Sequence, residues 1–258
     1  MPSEDTVAPA LSAIGLCFSY PDKADVLCEV NLTIMPGERV GVIGPNGSGK
    51  TTLFMMACGV LTPSAGEIKV MGRQVVEGQF CPDVGLVFQN PDDQLFCPSV
   101  RDDVAFGPKN MGLCHEEVET RVNEAMAAAG ITELAARPAH HLSGGEKRMA
   151  AIAAVLAMRP SLVLYDEPSA SLDIRSRRQL IKLLKHARET MLVSSHDLEF
   201  ILEVCGRVVI IDDRRIVADG HPEEIMGDEA LMMAHGQEKP HSLIPHQVRH
   251  HRVSAAED

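Results

Sequence analysis

The chain lacks a C-x-x-C pair, although it carries seven cysteines in 258 residues. Scattered thiols argue against a zinc site or a disulfide frame and read as small core residues of a reducing compartment. Long apolar runs are also missing. The longest, "MAAIAAVLAM" at 149–158, covers ten residues, where a membrane-crossing helix needs about 20. The opening "MPSEDTVAPA" is acidic and has no signal-peptide core. The expectation is a soluble, cytosolic protein. Basic charge is in deficit. A net charge of −12 argues against a nucleic acid or an anionic lipid surface as a mainly electrostatic partner. No internal repeat and no heptad run is visible, so neither a solenoid nor a coiled coil is expected. Tyrosine is scarce, with two residues, which makes the position of each informative.

What is present is a sizeable core and a regular alternation. Apolar residues make up 45% of the chain, enough for one large domain. "ALSAIGLCFSY", "VNLTIMPGERVGVIG" and "GEIKVMG" read as strands with turn residues between them. From Pro98 to about Met158 the texture is helical. "HEEVETRVNEAMAAAG" closes on Gly130, and "GGEKRMAAIAAVLAMRP" closes on Pro160. Strands then return in "SLVLYDEP", "TMLVSSHD" and "RVVIID", separated by helical "RSRRQLIKLLKHARE". Apolar runs alternating with helices predict a parallel α/β sheet, interrupted by a helical block. "HPEEIMGDEALMMAHG" reads as one closing helix with Pro222 at its start. The polar, histidine-rich segment 237–258 reads as a flexible tail.

Three stretches carry chemistry. "VGVIGPNGSGKTTL" holds G-x-x-x-x-G-K-T from Gly44 to Thr51, after a strand and before a helix. Its glycines let several backbone N–H groups face one phosphate, and the helix adds its positive end. Lys50 supplies a mobile charge to the β- and γ-phosphates, and Thr51 a hydroxyl to Mg²⁺. A chance match in a flexible turn would lack these flanking elements. In "LVLYDEP" an apolar strand delivers Asp166 and Glu167 to its carboxyl edge, where α/β sheets bind ligands. One carboxylate can hold magnesium through water and the next can polarise the attacking water. Standing alone, they would read as helix-capping acids. In "HLSGGEKRMAAIA", Ser143, Gly144 and Gly145 open a helix whose N-terminus attracts an anion. Alone, this would be an ordinary N-cap.

In order and spacing these pieces resemble the ATP-binding cassette family, the nucleotide-binding subunits of ABC transporters, from about Ser12 to Pro240. "GPNGSGKT" corresponds to the phosphate loop, "LSGGE" to the signature, "LVLYDE" to the Walker B strand, "SLD" at 171–173 to the following loop, and His196 in "SSHD" to the switch histidine. The resemblance implies a P-loop cassette of class α/β, with a RecA-like core, an antiparallel β subdomain and an inserted α-helical subdomain. The cassette would span 10–236 and the insertion about 98–158. It implies ATP and Mg²⁺ as cofactors and ATP hydrolysis as the activity. Gly44, Pro45, Asn46, Gly47, Ser48, Gly49, Lys50, Thr51 and Thr52 would hold the nucleotide. Thr51, Gln89 and Asp166 would hold the metal, and Glu167, His196, Gln89 and Lys50 would act in catalysis. Tyr20 in "FSYPD" resembles the aromatic that stacks on adenine; a plain strand-end tyrosine is the alternative. Ser143, Gly144 and Gly145 would cover the ATP of a second cassette in a head-to-tail homodimer or heterodimer. Two positions depart from the common pattern: Glu146, where Gln is frequent, and Tyr165, where an apolar residue is usual.

"VFQNPDDQLF", "SVRDDVAFGPKNMGL", "RPAHHLSGGEKRMAAIAAVLAM" and "DGHPEEIM" resemble the energy-coupling factor ATPases for cobalt, nickel and vitamins. That group implies a pair of cassettes under a transmembrane coupling protein, beside a membrane component that captures the substrate. The place implied is the cytoplasmic face of the cell membrane. Nucleic acid is not among the implied partners. Five of the eleven histidines fall in "HGQEKPHSLIPHQVRHHR". Imidazole suits cobalt and nickel, the preferred substrates, though a solvated tail with a histidine bias reads the same way. A vitamin substrate, or a soluble partner without transport, stays open on sequence alone.

Overall fold

A computed structural model describes residues 7–244. The chain begins with an antiparallel sheet built from β1 (Leu11–Tyr20), β2 (Lys23–Ile34), β4 (Ala65–Val70) and the two-residue β5 (Arg73–Gln74), in the order β2-β1-β4-β5. A second sheet holds β3 (Arg39–Ile43), β6 (Val84–Val87), β7 (Leu162–Asp166), β8 (Thr190–Ser194), β9 (Arg207–Asp212) and β10 (Arg215–Gly220), in the order β10-β9-β3-β8-β7-β6. All of its pairs are parallel except the β9–β10 hairpin at one edge.

The central strands are apolar on both faces because both faces are covered. Leu162, Leu164 and Leu192 point into one core with α1 (Lys50–Ala57) and the antiparallel sheet. Val163, Tyr165, Met191 and Val193, one residue out of phase, point into the other. That second core holds α2 (Val100–Asn110), α3 (His115–Ala129), α4 (Gly144–Leu156), α5 (Ile174–His186) and α6 (Leu198–Val204). Helices α2, α3 and α4 pack on one another and form the whole crossover between the neighbouring strands β6 and β7.

Local chemistry sets the element ends. Gly130 stops α3 in the left-handed region, at φ 65°. Asn90 accepts a hydrogen bond from the Asp92 N–H and caps a 3-10 turn over Pro91–Asp93, so the Asn-Pro signal holds. The single closing helix read from 221–236 is two short helices, α7 (Pro222–Gly227) and α8 (Glu229–Ala234). Asp228 separates them, with extended backbone and a carboxylate that accepts from the Leu231 N–H. Of the histidine-rich segment, residues up to Ile244 are described. Ser242 donates to Glu199 at 2.7 Å, and Leu243 packs on the larger core. His246, His250 and His251 lie outside the described residues. No helix among the described residues is long and apolar enough to cross a membrane.

Candidate nucleotide site

The loop between β3 and α1 needs its glycines for space as well as angle. Gly44 stands at φ 147°, and a Cβ there would meet the Ile211 carbonyl oxygen at 2.0 Å. Gly49, at φ 104°, lies against the Leu27 side chain. Gly49 also begins α1, with no side-chain cap and no acid in the first turn. The helix thus presents bare N–H groups and its positive end to the loop. The buried Lys50 curls back, its Nζ donating to the carbonyls of Gly44 at 2.8 Å and Pro45 at 3.0 Å. Desolvation lowers the Lys50 pKa, against the opposing pull of Glu167 and Asp166.

The carboxylates stand across from it. Asp166 ends β7 and accepts from Thr51 Oγ1 at 2.7 Å and Ser194 Oγ at 2.5 Å. Glu167 follows in the left-handed region, at φ 48°. Its N–H donates to the backbone oxygen and the hydroxyl of Ser194, both at 3.1 Å. Its Oε2 accepts from the His196 N–H at 3.1 Å, and the His196 ring lies 3.6 Å from Oε1. Oε1 is buried and has no hydrogen-bond partner. An unmade bond on a buried carboxylate oxygen is costly, so this atom marks a place built for a donor.

Tyr20, Asn46, Gly47, Ser48, Gly49, Lys50, Thr51, Thr52, Gln89, Asp166, Glu167 and His196 surround one cavity of about 330 Å³. Gly44 and Pro45 take part through their carbonyls. Tyr20 stands at the rim, its hydroxyl 3.3 Å from Thr52 Oγ1 and its ring edge-on to Phe18. Ser143, Gly144 and Gly145 do not line this cavity. Ser143 and Glu146 close the start of α4 with a reciprocal capping box. A Cβ on Gly145 would meet Ser176 Oγ at 2.2 Å, so that glycine has a packing reason in the close approach of α5.

Sequence reading missed the residues that hold the Gln89 loop. Arg148 on α4 is buried and donates to the carbonyls of Phe88 and Gln89, both at 2.6 Å. Gln94 accepts from the Phe88 N–H and donates to the Ala151 carbonyl. Lys147 pairs with Asp92 at 2.6 Å. The loop leaving β6 is therefore fastened to α4 at three points. Burial lowers the Arg148 pKa, and the Asp166 and Glu167 charges act in the opposite sense. A lone arginine at the head of the buried run "MAAIAAVLA" was the available signal.

A phosphate loop, an acid pair at the next-but-one strand end and a sheet-edge cavity are joined by comparison with known proteins. The family model described as ABC transporter matches residues 27–170, more than half of the chain. The chain belongs to the ABC transporter ATP-binding family. A putative ABC transporter ATP-binding protein of Synechocystis is 55% identical over 92% of this chain and 84% of its own length. The energy-coupling factor transporter ATP-binding protein EcfA of Methanothermobacter thermautotrophicus is 46% identical, over 84% of this chain and 72% of its own. The structure of cbiO1 from Clostridium perfringens, described as part of the ABC transporter complex cbiONQ, superposes with a TM-score of 0.78 at 34% identity, covering 88% of this chain and 94% of that one. The cassette fold and the ATPase activity expected from the motifs are those of this family, and the likeness is to its energy-coupling factor branch.

Proposed function

We propose that this ABC ATPase energises import of cobalt or nickel through an energy-coupling factor transporter, from the cytoplasmic face of the membrane. The observation that carries the catalytic reading is the unpartnered Glu167 Oε1, buried at the wall of the cavity opposite Lys50. Glu167 takes the proton of the attacking water, and His196, 3.6 Å from it, orients that water and touches the terminal phosphate. Lys50 trades its two loop carbonyls for phosphate oxygens. Tyr20 stacks on the adenine. The oxygens of Thr51, Asp166 and Gln89 are the hard donors that Mg²⁺ prefers, and that ion would neutralise phosphate charge. Thr51 and Asp166 already touch at 2.7 Å; Gln89 is at the exposed loop end.

Ser143, Gly144 and Gly145 sit outside the cavity of their own chain, which supports a head-to-tail pair in which each signature covers the other's ATP. Likeness to EcfA and to a member of cbiONQ supports a second cassette and membrane partners. Support for the metals is the resemblance of "VFQNPDDQLF" and its companions, with the histidine bias near the C-terminus. The test is uptake of labelled cobalt and nickel by cells expressing the ATPase with its membrane components, beside the Glu167→Gln variant. Uptake with the first and none with the second is expected. Uptake of a vitamin but of neither metal sinks the metal assignment and leaves the ATPase standing.

A further inference from the structure

Helix α5 carries cations on two sides, and only one side is matched. Toward α6, Arg177 pairs with Asp197 at 2.6 Å and with Glu203 at 3.4 Å, and Lys185 reaches Glu203 at 3.8 Å. On the adjoining side Arg175, Arg178, Lys182 and His186 follow at intervals of three, four and four residues, which is one stripe of a helix. Arg178, Lys182 and Arg188 just beyond the helix have no ion pair among the described residues. With Glu189 as the one acid among them, they rim an open groove of about 1110 Å³ between α5 and the end of α3. Its floor is apolar, with Leu156, Leu183 and Ala187 half-buried, and Ile174 stands 77% exposed at its mouth. This happens in a chain of net charge −12, where unmatched cations are in short supply.

We propose that the groove binds an acidic amphipathic helix of a partner protein. An apolar strip would lie on the floor while acidic residues at matching three- and four-residue intervals meet the α5 stripe. The length fits, since the 13 residues of α5 run about 20 Å, three to four helical turns. A lipid surface fits less well. Leu180, Ile181 and Leu184, the apolar face of α5, are buried in the protein's own core, so the helix has no face to insert. Nucleic acid would use the cations but not the apolar floor. The groove shares no lining residue with the nucleotide cavity.

The test uses the full chain and a synthetic helical peptide of about 15 residues, with glutamates bordering one apolar face. A second peptide of the same composition has its glutamates moved to the far side. Fluorescence anisotropy is read at low and high salt, with anionic vesicles in a parallel arm and light scattering on the free protein. The patterned peptide is expected to bind. Arg178→Glu with Lys182→Glu should weaken it at least about tenfold, leaving peptide-free ATP hydrolysis within about twofold, since neither residue touches the cavity. Unchanged hydrolysis also shows that the variant is folded. Equal binding of both peptides, failure of the patterned one, or indifference to the double reversal overturns the proposal. So does vesicle binding that the reversal abolishes, which would assign the groove to a membrane. A dimer in light scattering that the reversal breaks would assign it to a second copy.

Discussion

Helices α1 and α4 both open on a turn of serine and glycine, and from sequence both read as anion sites. The structure makes them opposites. α1 begins at Gly49 with no cap, no acid and its donors facing a cavity. α4 begins at Ser143 with a capping box, Ser143 Oγ accepting from the Glu146 N–H at 3.3 Å and Glu146 accepting from the Ser143 N–H at 2.7 Å, while the N–H groups of Gly144 and Gly145 stay outside it. A bare N-terminus is costly without a ligand and so is made for a resident one. A capped one keeps fewer bare donors and stands more easily without a ligand. The first opens on the cavity of its own phosphate loop; the second lies outside that cavity.

The sharpest way to probe the bare end is to remove chemistry while keeping shape. Glu167→Gln is expected to retain ATP binding and to lose about 10²–10⁴-fold in turnover. Lys50→Ala should weaken ATP binding as well. Nucleotide titration beside steady-state hydrolysis checks both, and near-normal turnover by Glu167→Gln would remove it from the role of base.

Mixing two inactive proteins tests the capped end. Lys50→Ala and Ser143→Arg should each be inactive, and together they should regain part of the wild-type rate. In a mixed pair one composite site carries both defects and the other carries neither. Heterodimers verified with two tags but no faster than either variant would mean that the two ends do not meet across chains, or that both sites must be intact. A chain carrying both defects, mixed with wild type, separates these. It gives every mixed site one defect and should add nothing to the residual wild-type rate.

Arg148 ties the Gln89 loop, at the wall of the cavity, to α4. Arg148→Met strips the donor from two carbonyls, at about 1–3 kcal/mol for each acceptor stranded. Arg148→Lys should recover part of the loss. Chemical denaturation of the three proteins measures it, and Arg148→Met as stable as wild type would show the loop to be held by Gln94 and Lys147 alone.

The smallest effect concerns the cap itself. The Ser143 backbone N–H, then its hydroxyl, holds the Glu146 carboxyl below its ordinary 4.5. A depressed folded pKa means stabilisation that is complete above 4.5 and fades as pH falls through the folded value. Ser143→Ala is expected to cost about 1 kcal/mol at neutral pH. Glu146→Gln should lose less and should flatten the acid limb. Melting temperatures from pH 7 to about pH 3 decide it, and an unchanged limb would show that the box contributes nothing.

The sequence made some of this legible and hid the rest for definite reasons. Gly44 to Thr51, Asp166 and Glu167 were readable because a strand, a turn and a helix follow within a few residues. The two-sided apolar runs of β3, β7, β8 and β9 announced a covered parallel sheet. The hairpin strand β10 went unread because "RIVADG" is half-exposed, with no clean alternation. The break at Asp228 was signalled only by Gly227 before it, inside a run of otherwise helical composition. The partners of Arg148 and Gln94 were hidden because they are carbonyls 57 to 60 residues away, and a carbonyl leaves no letter in a sequence; only the place of Arg148 at the head of a buried run hinted at a role. Gly145 was read as an anion binder because the closeness of Ser176 exists only once α4 and α5 are packed.

The strand order has a metrical consequence. β3, β8, β7 and β6 stand side by side, and neighbouring strands lie about 4.8 Å apart. The loops that follow them bring Lys50, His196, Glu167 and Gln89 to one edge, one mark per strand. The first and last of these strands lie about 14 Å apart, and their side chains converge on one cavity. Because the four side chains hang from four different strands and still line one cavity, a shift of any one strand alters their spacing without changing a single residue of the site.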